Sequence, residues 1–171
     1  MNETIKTILS RRASRSYSDE VVSDELLKQI VEAGTWAPTG MNKQSPIILV
    51  IKDKELRDKY MRLNAGVMGS DSDPFYGAPI VIVVLADKNV STRVYDGSCV
   101  MENMMLAAES LGVQTAWIHR AKEVFDSEEG KAILKQAGVE GDYEGIGNMI
   151  VGYAKEKPEP KSRKENWVYW L

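Results

Sequence analysis

Residues that ligate metals or form covalent intermediates are scarce in this chain: its 171 residues include one cysteine, Cys99, and one histidine, His119. A lone thiol excludes an intrachain disulfide, and one thiol plus one imidazole falls short of the ligand set of a zinc site. A Ser-His or Cys-His scheme would have that single imidazole to draw on. Long apolar runs are missing too. No stretch approaches the ~20 residues that a helix needs to cross a bilayer, and the opening Met-Asn-Glu-Thr lacks the basic-then-apolar order of a secretory leader. These absences predict a cytoplasmic protein with no membrane segment. Positive charge is not in excess either. The formal net charge is -3 and the charges are scattered, which argues against nucleic acid as a partner. No Gly-x-Gly-x-x-Gly follows a predicted strand, and no Gly-x-x-x-x-Gly-Lys-Ser/Thr occurs, so the usual backbone cradles for phosphate are absent. A phosphate bound here is bound by side chains.

What positive charge there is gathers at one place. Arg11, Arg12 and Arg15 fall within the stretch Arg11-Arg12-Ala13-Ser14-Arg15-Ser16-Tyr17, just past a short amphipathic helix over 2–10 with Asn2 as N-cap and Ile5, Ile8 and Leu9 on one face. Cations at a helix C-terminus complement its dipole, each worth roughly 0.3 to 1 kcal/mol when exposed. That accounts for Arg11 and Arg12. Arg15 lies beyond the helix end, and three guanidinium forks also suit a small anion, phosphate above all. Spacing alone leaves both readings standing.

With 43% hydrophobic residues the chain is long enough for one ordinary core. Ser23 caps a helix running to Gly34, and residues 35–46, with two prolines, a glycine and an asparagine, form an ordered loop. Ile47 to Ile51 reads as a buried strand, followed by a helix over 53–63 and a second loop over 64–79. Ile80 to Leu85 is the firmest strand, and six consecutive apolar residues mean that both its faces are covered. The longest helix spans 93–111 and ends at Gly112, its methionines serving as adaptable packing. A strand over 113–118, a helix begun by Asp126 or Ser127 and a short strand at Met149-Ile150-Val151 complete the order. The expected class is α+β: a central mixed sheet covered by helices on both faces, formed by residues 1–153. Residues 154–171 form a basic tail ending Trp167-Val168-Tyr169-Trp170-Leu171, too apolar to hang in water and suited to a partner subunit.

Five motifs in order resemble the FMN-dependent nitroreductase family. Residues 11–17 are similar to its Arg-Arg-Ser-x-Arg-x-Phe opening, with Ala13 where serine is usual and Tyr17 where phenylalanine is. The helical segment Val22 to Gly34 resembles the next family segment, and Ala37-Pro38-Thr39-Gly40-Met41-Asn42-Lys43-Gln44-Ser45-Pro46 its Ala-Pro-Ser-x-x-Asn-x-Gln-Pro loop. The Gly112 to Ile118 stretch and Pro160-Lys161-Ser162-Arg163 complete the set. Each motif alone is unspecific; their order over ~150 residues is what identifies the family.

The resemblance implies a homodimer with FMN at the interface and NADH or NADPH as electron donor. It implies that Arg11, Arg12 and Arg15 contact the FMN phosphate and ribityl chain, Ala13 through its backbone only, and that Lys161 and Arg163 close on the same phosphate. Pro38, Thr39 and Gly40 would reach the flavin ring from the other subunit, Asn42 and Gln44 would contact the ring or its surroundings, and Trp117, Ile118 and His119 would lie at a strand end near the ring. Catalysis would then need no protein nucleophile and no metal, because flavin N5 carries the hydride. The implied activity is ping-pong reduction of nitroaromatic, quinone-like or other small oxidised acceptors. Alternatives on the same fold are a specialised reductase (dehalogenating, ring-reducing or flavin-handling) and a flavin-binding or storage protein without turnover. Neither the acceptor nor the choice between NADH and NADPH is written in these motifs.

Overall fold

Asn2 opens the first helix. Its Oδ1 accepts from the Ile5 amide at 3.0 Å, and α1 (Glu3–Ser10) leads straight into the arginine segment. The computed structural model, which describes all residues from Met1 to Leu171, places no α1 side chain in the core, so Ile5, Ile8 and Leu9 stay about half exposed. Ser23 and Asp53 cap α2 (Asp24–Thr35) and α3 (Lys54–Met68) by the same device, each accepting from an amide three residues on. The other elements are β1 (Pro46–Ile51), β2 (Ile80–Asp87), α4 (Arg93–Ser110), β3 (Gln114–Ile118), α5 (Ala121–Asp126), α6 (Glu128–Gln136) and β4 (Tyr143–Gly152). No helix is long and apolar enough to cross a membrane.

The strands form one sheet in the order β1-β2-β4-β3. All named neighbours are antiparallel. The mixed character expected from the sequence is confined to the outer edge of β3, where Ala13 bridges Thr115 in parallel. β2 lies inside the sheet and its alternation sorts two cores. Val81, Val83 and Leu85 pack with Tyr60, Phe75, Phe125 and Ile133 from the α3, α5 and α6 side. Ile80, Ile82 and Val84 pack with Ile30, Met101 and Met104 from α2 and α4. Helices therefore cover both faces, and the methionines of α4 are core packing.

Several boundaries differ from the sequence reading. β1 is an edge strand in which only Ile51 is buried, because β2 pairs it on one side and nothing pairs it on the other. α3 runs on through Met68 to Gly69 at φ 65, which shortens the loop that seemed to begin at residue 64. β4 has ten residues and not three, since Gly145 and Gly147 lie within the strand as sites of close approach. A Cβ at Gly145 would lie 2.4 Å from the Ala121 carbonyl oxygen, and one at Gly147 would lie 2.6 Å from the Trp117 ring. α5 was not foreseen at all. Six residues with no side-chain cap carry little signal.

Candidate functional site

The chain leaving α1 lies along the outer edge of β3. Ser14 N donates to Thr115 O at 3.1 Å, and farther on Ser18 N donates to Tyr153 O at 2.9 Å and Lys155 N to Ser16 O at 3.0 Å. In this segment Ser14 and Tyr17 are buried, and Arg15 and Ser16 between them are exposed. Tyr17 Oη donates to Ser14 O at 2.9 Å, and burial pushes its phenol pKa above the ordinary range. The Ser14 hydroxyl is buried and has no hydrogen-bond partner. Arg12 Nη1 donates to Leu9 O and Arg11 O, both at 2.8 Å, which makes it a helix cap in part. Arg11 Nε stands 3.6 Å from Glu102 Oε1. Buried Nε–H groups of Arg11 and Arg12 have no hydrogen-bond partner. Two buried guanidinium donors without a hydrogen bond, one of them only in a long ion pair, beside a third, exposed arginine fit an anion such as a phosphate.

The far end of β3 is held more tightly than its sequence suggests. Asn148 Nδ2 donates to Ile118 O at 3.2 Å and to His119 O at 2.9 Å, and Asn64 Nδ2 donates to His119 O at 3.1 Å. Tyr60 Oη in turn donates to Asn148 Oδ1. Arg120 sits at φ 76, in the left-handed region, with its Nε on Asn64 Oδ1 at 3.0 Å. Such a backbone costs of order 1 to 3 kcal/mol and persists where its surroundings over-determine it. Trp117 lies on Gly147, Ile118 is buried, and the exposed His119 ring is 6.2 Å from that of Trp117. His119 and Arg120 line a cavity of about 300 Å3. Sequence reasoning missed Asn64, Asn148 and Arg120; an asparagine between Gly147 and Met149 in a core strand was the available signal.

The loop over 37–45 is anchored at the other end of α4. Gly40 N donates to Asp96 Oδ1 at 2.9 Å, and Thr92 Oγ1 donates to Asp96 Oδ2 at 2.8 Å. Gly40 is required there, since a Cβ would lie 2.5 Å from Thr92 Oγ1. Gln44 N donates to Thr39 Oγ1, and Gln44 Nε2 to Asn42 Oδ1, each at 3.1 Å. Met41, Asn42 and Gln44 all have φ near 50, three strained non-glycine residues in one loop. Pro38, Asn42 and Gln44 are exposed, as are Trp36 and Met41 beside them.

The arginine segment and the Trp117–His119 end therefore share one sheet edge. The loop does not join them: its anchor Asp96 and the arginine neighbour Glu102 are six residues apart on α4, about 9 Å of helix rise. Lys161 and Arg163 make no hydrogen bond or ion pair with the body of the chain, and both are exposed. One copy of the chain holds half of the expected set together.

The profile of the Nitroreductase family matches residues 8–70 and 67–153. This chain belongs to the nitroreductase family. Among its relatives is an Archaeoglobus fulgidus protein, provisionally described as an NADH dehydrogenase/NAD(P)H nitroreductase, that is 31% identical over 166 residues, covering 93% of this chain and 90% of the relative. The FMN reductase [NAD(P)H] of Bacillus subtilis is 33% identical over 132 residues, or 67% of this chain, but this nitroreductase-family chain spans only 53% of that protein. The crystal structure of a Bacteroides fragilis nitroreductase with bound FMN superposes with a TM-score of 0.91 at 26% identity, with each chain covered in full. The four-stranded sheet with helices on both faces is thus a nitroreductase fold.

Proposed function

We propose that this nitroreductase-family chain is an FMN-dependent NAD(P)H oxidoreductase, active as a homodimer on small oxidised acceptors such as nitroaromatics and quinones. The observation that carries the reading is the arginine segment on the sheet edge that ends at Trp117–His119, where buried Arg12 Nε has no partner and Arg11 Nε has only a long ion pair with Glu102. Arg11, Arg12 and Arg15 would hold the FMN phosphate, with Ala13 contributing backbone and Lys161 and Arg163 closing from the tail. Trp117, Ile118 and His119 would border the ring, and Pro38, Thr39, Gly40, Asn42 and Gln44 of the second copy would complete the pocket. FMN, when bound, supplies the hydride chemistry; these residues bind it, orient it and keep its open face accessible.

The homodimer rests on uncovered surface. α1 buries nothing, Trp36 and Met41 stand about four-fifths exposed, and β1 is the uncovered sheet edge because residues 13–17 cover the edge of β3. Cavities of about 390 and 530 Å3 adjoin β1, and the tail carries Trp167, Tyr169 and Trp170 exposed. An open edge with apolar hollows suits an extended apolar segment from a second copy. The test is anaerobic reduction of the FMN-loaded protein by NADH and by NADPH, followed by a panel of acceptors. Reduction by either nicotinamide and rapid reoxidation by an acceptor is the expected result. A protein that stays colourless after soaking with FMN and desalting would overturn the reading, and one that binds FMN but accepts no electrons from nicotinamides would be a flavin carrier.

A further inference from the structure

Glu109, near the C-terminal end of α4, accepts two hydrogen bonds on one oxygen: Ser10 Oγ donates to its Oε1 at 2.8 Å, and Lys157 Nζ donates to the same atom. Its side chain is 7% exposed, against 47% for Lys157. Ser10 is the last residue of α1 and immediately precedes Arg11. Lys157 is the last tail residue bonded to the body, four positions before Lys161. Two turns back on the same face of α4, Glu102 stands beside Arg11 Nε. With no α1 residue buried, these two carboxylates are the polar ties that fix where α1 ends.

We propose that Glu109 is the positioning residue of the phosphate clamp, fixing on α4 the point where the arginine segment begins and the point where the tail leaves the body before the anion arrives. The proposal rests on the FMN reading above and deepens it. A carboxylate near a site for a dianion opposes binding through space. Its presence here makes sense if geometry outweighs field. Glu109 is also more than a surface ion pair, because its side chain is largely covered and it holds to α4 the two residues, Ser10 and Lys157, that flank the backbone pairing of Ser16 with Lys155.

The two roles predict opposite signs. FMN and riboflavin affinities of the FMN-free protein are measured by quenching of flavin fluorescence for wild type, Glu109→Gln and the exchanged pair Glu109→Lys/Lys157→Glu. Glu109→Gln weakens FMN about tenfold and leaves riboflavin, which has no phosphate, unchanged. The exchanged pair returns FMN affinity to within about twofold of wild type. Unchanged or tighter FMN binding by Glu109→Gln overturns the proposal, as does equal loss of riboflavin or a failure of the exchange to restore binding. If Glu109→Gln does not fold, the exchanged pair decides alone. Wild-type protein that binds neither flavin would instead bring down the FMN reading, and this proposal with it.

Discussion

Asn148, fully buried in the middle of β4, satisfies three partners at once: the Tyr60 hydroxyl and the carbonyls of Ile118 and His119. Asn148→Leu keeps the branched shape but removes the acceptor of the Tyr60 hydroxyl and a donor to the Ile118 carbonyl, the His119 carbonyl keeping Asn64 Nδ2, so it should cost about 3 kcal/mol, read from urea unfolding. It should also release the strained turn at Arg120. Gly40→Ala forces a methyl against Thr92 Oγ1 and should loosen the 37–45 loop. Restored stability in Gly40→Ala/Thr92→Ala would confirm that the contact is the cause, and no thermal shift in Gly40→Ala would refute it. Arg15 is the exposed arginine with no helix terminus to cap. Arg15→Ala should therefore weaken FMN binding at least about tenfold while leaving the thermal midpoint of the FMN-free protein in place. All three residues are plain in the sequence, but only for Arg15 did the spacing point to a role.

Among the elements, those with a side-chain cap or a long apolar pattern, such as α4 and β2, were legible, and α5, with neither, was not. Asn2, Ser23 and Asp53 each start a helix by accepting from a nearby amide, a local interaction that one chain segment specifies alone. α5 has no such cap; it is held by Val124 and Phe125 in the core and by ion pairs at its end. There Asp126 is paired with Lys122 and Lys88, and the Lys122 hydrogen bond, then that from Lys88, holds its pKa below the ordinary carboxylate range. A depressed folded-state pKa contributes stability that is present above the unfolded-state value and lost as pH falls through the folded one. Asp126→Asn should therefore lower stability at neutral pH and match wild type in strong acid. The difference should stay below about 1 kcal/mol, because the pair is partly exposed, and should shrink with added salt. Unfolding curves at several pH values would show it.

At the scale of the whole molecule, the C-terminal tail is the part that its own chain leaves uncovered. Residues 158–171 make no hydrogen bond to their own body and end in five exposed apolar residues. Deleting residues 155–171 should weaken both self-association and FMN retention, read by sedimentation and by flavin content after gel filtration. A truncated chain that remains dimeric and loaded would refute both roles of the tail. The sequence by itself determined the capped helices, the buried β2 strand, the lack of a second cysteine for an intrachain disulfide, and the arginine motif whose resemblance led to the family. These rest on local periodicity, on composition and on short-range spacing. Only the tertiary structure decided that residues 13–17 close the β3 edge, that β1 lies open, that Asn64 and Asn148 hold the turn after β3, and that Glu109 ties the helix before the arginines to the tail. Each of these joins segments tens of residues apart, and no local pattern records which distant atoms will meet.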